Sequence, residues 1–381
     1  MTNGSGHGRS VPVFGEEAVR AAVSHRAAME AAERAFLALA RDEVVSPMPM
    51  GVEFPEVHGE VHVKGAHIHG SPIFAFKVAT GFYGNVELGV PTGSGLVLVF
   101  DADTGFPLAV LSDNGYLTDL RTAAAGALAV RYLTHRRPLV LAVVGAGVQG
   151  RLQAELIRHA RDFKEVRVWS RQESSRKRYV LQMSPVLGAP VYEFATVAQA
   201  VAGADLVVTA TPSRAPLVLP GMLKPGVTVI AVGADSPAKR ELAAEVIMAA
   251  DKLVADLTAQ CIRMGEIHHV VKAGLLPIDG VYAELGHIVA GDLPGRVGEE
   301  TIICDLTGVG AQDAAIAQPV GQLAVVRRVR FPERRVMRPD ALHGALLHQP
   351  LFRLPHHVRF EEWKPFLDPV DASYWNTELV D

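Results

Sequence analysis

Three side chains in this sequence stand where each needs a charged partner or a ligand. Lys77 lies among apolar neighbours in residues 73–79, and an ammonium buried without a counter-charge is costly. Arg121 falls in the first turn of a helix expected over residues 118–133, opening with Thr118-Asp119 as capping residues. A positive side chain at a helix N-terminus gains nothing from the macrodipole, so Arg121 is placed to meet an anion. Asp235, with Lys239 four residues on, follows the apolar run 227–232. If that run is a parallel strand, both lie on the rim where open sheets hold their ligands. Aspartate followed by Ser-Pro is also good helix-start chemistry, so Asp235 as the N-cap of a helix beginning near Pro237 is the competing reading. Two cations suit a carboxylate through charge-assisted bonds, and an acid beside them suits proton transfer.

The redox partner for such a site is suggested by residues 139–150. Six apolar residues read as a strand buried on both faces, and Gly145, Gly147 and Gly150 follow as G-x-G-x-x-G before a helix from Arg151. One glycine permits the tight turn, one lets the backbone approach a pyrophosphate, and one allows close helix–strand contact. The phosphates would face the free N–H groups of the helix. The next strand, 165–169, ends in Ser170-Arg171, where an NAD site often carries an acid for the ribose 2′-hydroxyl. Arg171 could pair with a 2′-phosphate or stack on adenine, or lie over the sheet edge, so NAD and NADP both stay open.

These stretches need a scaffold of α/β class. At 381 residues, 49% hydrophobic and 20% charged, the chain is long enough for two domains with sizeable cores. A formal net charge of −4 offers no basic field for nucleic acid, and no apolar run is long enough for a membrane span. Residues 1–8 lack the apolar core of a signal peptide, and the two cysteines, Cys261 and Cys304, fit a reducing cytoplasm. Residues 16–40 read as a helix, 57–69 as a strand with His62 and Lys64 on the face opposite Val61 and Val63, and 101–105 as a hairpin turn. A short helix at 196–202 and strands at 205–210 and 227–232 continue the alternation, and 310–318 reads as a return helix. The expected division is a Rossmann domain over 138–314 and a substrate-binding, dimerising α+β domain over 1–137, with 315–381 returning to it. The arginine run 327–338 reads as a solvated face or subunit contact, and Trp363, Phe366, Tyr374 and Trp375 as residues able to pack on a dimer partner. His62, His67, His69, the pairs 268–269 and 356–357, and the remaining histidines show no zinc-type spacing, so no metal is expected.

Together the motifs resemble the ornithine cyclodeaminase/mu-crystallin family. The resemblance is carried by Lys77 with the glycine-rich loop after it, Leu117-Thr118-Asp119-Leu120-Arg121-Thr122-Ala123-Ala124, Val143 to Gly150, and Val232-Gly233-Ala234-Asp235-Ser236-Pro237-Ala238-Lys239. It extends over roughly residues 15–325. His58 to Lys64, Asp113 to Asp119 and Asp305 to Asp313 are most similar to the cyclodeaminase-like proteins of ectoine utilisation. The resemblance implies a homodimeric NAD(P)-dependent enzyme with a Rossmann domain and a second domain built from both chain ends. It implies that Lys77 and Arg121 hold a substrate α-carboxylate and that Asp235 is the acid/base. Thr92, Thr122, Val148, Gln149, Thr211 and Lys239 would line the cofactor, and Thr307 would approach substrate and nicotinamide. Ornithine cyclodeaminase carries a further carboxylate-binding arginine early in the chain, and here that region reads Ser46-Pro47-Met48-Pro49-Met50. Lys64 is placed to substitute for it.

The expected chemistry is oxidation at Cα of a small amino or diamino acid to an imine. Attack by a side-chain amine releases ammonia, and return of the hydride completes a cyclodeamination. Attack by water makes the enzyme an amino-acid dehydrogenase, and the reverse direction makes it a ketimine or imino-acid reductase. A mu-crystallin-like protein that binds nucleotide and ligand without turnover is the alternative of another class.

Overall fold

The computed structural model describes residues 10–137 and 139–330, so the tail aromatics and residues 331–338 of the arginine run lie outside the described residues. Two sheets dominate. In the first, the strand order is Val13–Gly15, Pro107–Ser112, Gly93–Asp101, Ile73–Phe82, Gly59–Ile68 and Val44–Val45, with Met50–Phe54 also pairing Gly59–Ile68. Only the first pair is parallel; the others are antiparallel. Lys64 lies directly opposite Lys77, and His62 opposite Ala79. This register, with the alternation of side chains along each strand, sends all four to one face of the sheet.

The second sheet is all parallel, in the order Val191–Glu193, Phe163–Trp169, Leu139–Val144, Leu206–Thr209, Thr228–Ala231, Ile302–Asp305, Lys252–Ala255 and Ala283–Glu284. Its central strands are buried throughout, as expected of a sheet covered on both faces. Order and parallelism are those of a dinucleotide-binding doubly wound fold.

Between the two sheets runs the helix Tyr116–Leu133, buried at Leu117, Leu120, Arg121, Ala123 to Val130 and Leu133. Its alanines let neighbours approach closely, and it packs on the helices His25–Ala40 and Val148–Ile157. The helix starts two residues earlier than its sequence suggests. Gly115, at φ 86°, is the N-cap, and the Asp113 carboxylate accepts from the backbone N–H groups of Gly115 and Leu117. Thr118-Asp119 therefore does not cap the helix, and Arg121 sits two residues deeper than expected, in the second turn rather than the first. Residues 16–40 likewise form two helices, Glu16–Ala22 and His25–Ala40, because the Ser24 hydroxyl accepts from Ala27 N–H and starts a new one. The return helix runs further than its first apolar run suggests, over Gly310–Arg330, and packs on the first sheet.

Candidate active site

The strand Leu139–Val144 leads into Gly145, at φ 124°, and the helix Val148–Ile157. A methyl group on Gly150 would overlap the Gly145 carbonyl, while Gly147 faces open space. The helix has no side-chain cap and no acid in its first turn, so its leading N–H groups are free for an anion. This cradle fits a dinucleotide pyrophosphate. Overpacking of this kind costs about 1–3 kcal/mol, so Gly150→Ala is expected to lower Tm by several degrees in thermal denaturation; an unchanged Tm overturns the packing role of Gly150.

Above this rim lies a cavity of about 130 Å³ lined by His62, Lys64, Lys77, Arg121, Gln149 and Asp235, with Ala79, Thr118, Asp119, Thr122 and Val232 completing the wall. Three cations form one side. Lys77 is 3% and Arg121 6% exposed. Both are held by Asp313, in the first turn of the return helix, with Lys77 Nζ 3.8 Å from Oδ2 and Arg121 Nε 3.0 Å from Oδ1. Arg121 Nη1 also donates to Gln312 Oε1 at 3.2 Å, and Gly308, at φ 78°, leaves room for the guanidinium that any side chain there would fill. Lys64 Nζ donates to the carbonyls of Thr307 and Gly308 at 2.8 and 2.9 Å. Burial pushes the Lys77 ammonium down, and Arg121 and Lys64 add to this against Asp313, leaving it at about 7. Lys64 is lowered by burial and then by Arg121. The cluster is short of negative charge.

The opposite wall carries acids. Lys239 Nζ bridges Asp235 Oδ1 and Glu60 Oε1, each at 2.6 Å, and Tyr83 donates to the same Glu60 oxygen at 2.6 Å. Burial opposes ionisation of Asp235, but Lys239, Lys64 and His62 outweigh it and hold the carboxyl well below its usual range. Burial also opposes ionisation of Glu60, which His62 and Lys239 bring down to about 2. The Asp235 side chain is 39% exposed, so this charged carboxylate faces the cavity. No helix begins near Pro237: residues 237–243 are irregular and the next helix is Ala244–Met248. The N-cap reading of Asp235 is thereby removed.

The geometry gives several of the expected site residues partners within the chain. Lys239 belongs to the Asp235–Glu60 network. The Thr307 hydroxyl donates to Asp256 and accepts from Gln260, and its side chain is outside the cavity lining. Thr92 contributes its carbonyl to Phe82 N–H and is also outside that lining. Thr122 lines the cavity, its hydroxyl donating to the Thr118 carbonyl. Gln149 Nε2 donates to the Asp119 carboxylate and carbonyl, and its buried Oε1 has no partner among the described residues. Val148 is exposed and Arg171 stands exposed beyond the strand Phe163–Trp169. Thr211 N–H and Oγ both donate to Glu241 Oε1, and Gly233 N–H to Oε2, so one buried carboxylate ties two strand-end loops together. Burial pushes that carboxyl up to about 7 against these donors.

Glu60, Tyr83, Gln312 and Asp313 were not legible as site residues. Asp313 is disguised because an acid in the first turn of a helix is ordinary dipole chemistry. Glu60 is disguised because its strand position is polar and alternates normally.

The chain is similar to known proteins over most of its length. The chain is 40% identical to the uncharacterized cyclodeaminase y4tK of Sinorhizobium fredii, over 79% of this chain and 91% of that protein. It superposes on an archaeal alanine dehydrogenase dimer with bound NAD with a TM-score of 0.77 and 32% identity, covering 84% of this chain and 97% of that one. It also superposes on the Thermococcus litoralis Δ1-pyrroline-2-carboxylate reductase in complex with NADH and L-proline, with a TM-score of 0.78 and 26% identity, covering 83% and 98%. The model of the ornithine cyclodeaminase/mu-crystallin family matches residues 13–325, and the chain belongs to that family.

Proposed function

We propose that this chain is an NAD(P)-dependent enzyme acting at the Cα–N bond of a small amino or diamino acid, passing through an imine with release of ammonia. The observation that carries the reading is the cavity in which Lys77 and Arg121 face Asp235 beside the glycine rim. The bound dinucleotide, held at Gly145, Gly147 and Gly150, supplies a hydride acceptor and donor. Lys77, Arg121 and Lys64 bind the α-carboxylate and so fix the orientation of Cα–H. Asp235, ionised and facing the cavity, takes a proton from the substrate nitrogen or from an attacking amine and later returns it. Glu60 and Tyr83 position Asp235 through Lys239, and Asp235 offers the cavity a negative charge for a substrate ammonium.

The second reading, an amino-acid dehydrogenase or imino-acid reductase, is favoured by the dehydrogenase and reductase names among the similar structures. One assay separates the readings, using diamino acids, simple amino acids and cyclic imines with NAD⁺, NADP⁺ and their reduced forms. Ammonia without net accumulation of reduced nicotinamide establishes cyclodeamination. Stoichiometric reduced nicotinamide establishes a dehydrogenase, and oxidation of NAD(P)H by a cyclic imine a reductase. Saturable binding with no product in any arm establishes the mu-crystallin-like binder and overturns catalysis. We further infer a cytoplasmic homodimer, with the exposed apolar side chains of Met50, Val52 and Phe54 along the outer strand as part of its contact.

A pH dependence arises from Lys77. Below pH about 7 it carries the proton that a carboxylate needs; above that value the free site loses it. Carboxylate binding then takes up a proton, and affinity falls about tenfold per pH unit between pH 8 and 9. Calorimetry in buffers of different ionisation enthalpy is expected to show close to one proton taken up at pH 8.5 and much less at pH 6. A pH-independent affinity, or proton release, overturns this role.

A further inference from the structure

At the amino ends of the parallel strands, across the sheet from the glycine rim, lies a second and larger cleft of about 410 Å³. Arg131, Arg136, Arg137, Arg158 and Arg161 line it, with Asp162 as the only acid. Part of this charge has an internal explanation. The helices Tyr116–Leu133 and Val148–Ile157 both end here, and cations suit helix carboxyl ends. Arg161 serves that purpose: its Nε donates to the His135 carbonyl at 3.0 Å, and its Nη groups to Ala160 and Arg131 carbonyls, both at 2.6 Å.

The other arginines are not accounted for in this way. Arg137 shares Asp205 with Lys224, at 3.3 and 2.6 Å, and Arg131 has Glu33 at 3.5 Å on the surface. Arg136 and Arg158 have no carboxylate partner among the described residues, and Asp162 forms no ion pair there either. Arg161 donates to carbonyls, which leaves its charge uncompensated. Burial and then the Arg136 and Arg131 charges make it easier to deprotonate than a free arginine. Several guanidiniums thus converge on one concave surface without counter-charge, and their planar forks match phosphate and carboxylate oxygens two at a time. The volume lies within the range of small-molecule sites.

We propose that this cleft binds a small polyanion bearing two or more phosphate groups, with Arg136 and Arg158 as its unpaired contacts and Arg161 as a fixed wall. The site is separate from the catalytic cavity. They are joined by the helix Tyr116–Leu133, which brings Thr118, Asp119 and Arg121 to the cavity and Arg131 to the cleft. At 1.5 Å per residue the two ends of that helix are about 27 Å apart.

The test is calorimetric titration of the full chain with inorganic triphosphate at constant ionic strength. Citrate is run as the polycarboxylate arm, and each titration is repeated on Arg136→Glu/Arg158→Glu. Both substituted side chains are exposed and unpaired, so thermal denaturation and dinucleotide affinity are expected to match the wild type. The wild type is expected to take up one triphosphate per chain, weakening with added salt as exposed charges are screened over about 8 Å at physiological ionic strength. The double variant is expected to lose at least about tenfold in affinity, equivalent to 1.4 kcal/mol. Absence of saturable binding, or equal affinity in the double variant, overturns the site. Binding of citrate without triphosphate overturns the phosphate assignment. The dinucleotide titration fails or succeeds independently, so this inference and the proposed activity are tested apart.

Discussion

Arg121→Met is expected to lower kcat/KM for the cognate amino acid by about 10²–10³-fold, and to lower Tm as well. In the cavity wall Arg121 is 6% exposed and held by Asp313 at 3.0 Å and Gln312 at 3.2 Å. Removing one member of a buried charge pair typically costs about 3–5 kcal/mol, and each 1.36 kcal/mol is about a factor of ten. The loss has two parts that separate experimentally. The substrate carboxylate loses its forked donor, which steady-state kinetics reads. Asp313 is left with Lys77 at 3.8 Å as its remaining ion-pair partner, which thermal denaturation reads. Arg121→Lys restores the charge but cannot span Asp313 and Gln312 with one fork, so it is expected to recover only part of both losses. A kcat/KM within about threefold of wild type in the methionine variant removes Arg121 from substrate binding.

Asp235→Asn is expected to act on kcat, by about 10²–10⁴-fold, the usual range for a positioned proton-transfer group. The substitution is nearly isosteric, and Lys239 keeps Glu60 at 2.6 Å and Tyr83 at 2.9 Å. Fold and dinucleotide affinity are therefore expected to hold, and that contrast distinguishes a chemical role from a structural one. Asn cannot accept a proton, so any arm of the kcat–pH profile that Asp235 sets in the complex disappears in the variant. Retention of kcat within tenfold of the wild type assigns the proton transfer elsewhere.

The two variants probe opposite walls, and the walls differ in how legible they are in the sequence. Gly145, Gly147 and Gly150 are legible because a tight turn and a close helix–strand contact are local demands that glycine alone meets. Lys77 and Arg121 are legible as misfits, cations where local physics gives them no reason to be. Their counter-ion is not. Asp313 lies more than two hundred positions along the chain from Lys77 and looks from sequence like an ordinary acid at a helix start. The partner of Lys239 is illegible for a related reason: Lys239 lies near a strand end, but Glu60 comes from the other sheet. The partners of Thr307 are illegible because a hydroxyl beside a glycine turn can face either way, and Asp256 and Gln260 claim it on the buried side.

By itself the sequence determined the doubly wound nucleotide half, the strand faces that pair His62 with Lys64, and the chemistry available at Lys77, Arg121 and Asp235. These arise from backbone sterics and side-chain periodicity, which act over a few residues. Only the tertiary structure decided that Lys64 and Lys77 sit opposite each other and that Arg121 enters one turn down its helix. It likewise decided that Asp313 returns from the far end of the chain to hold two of the three cations. The reason is that register, helix start and long-range ion pairing are set by contacts between segments distant in the chain, which no local pattern encodes.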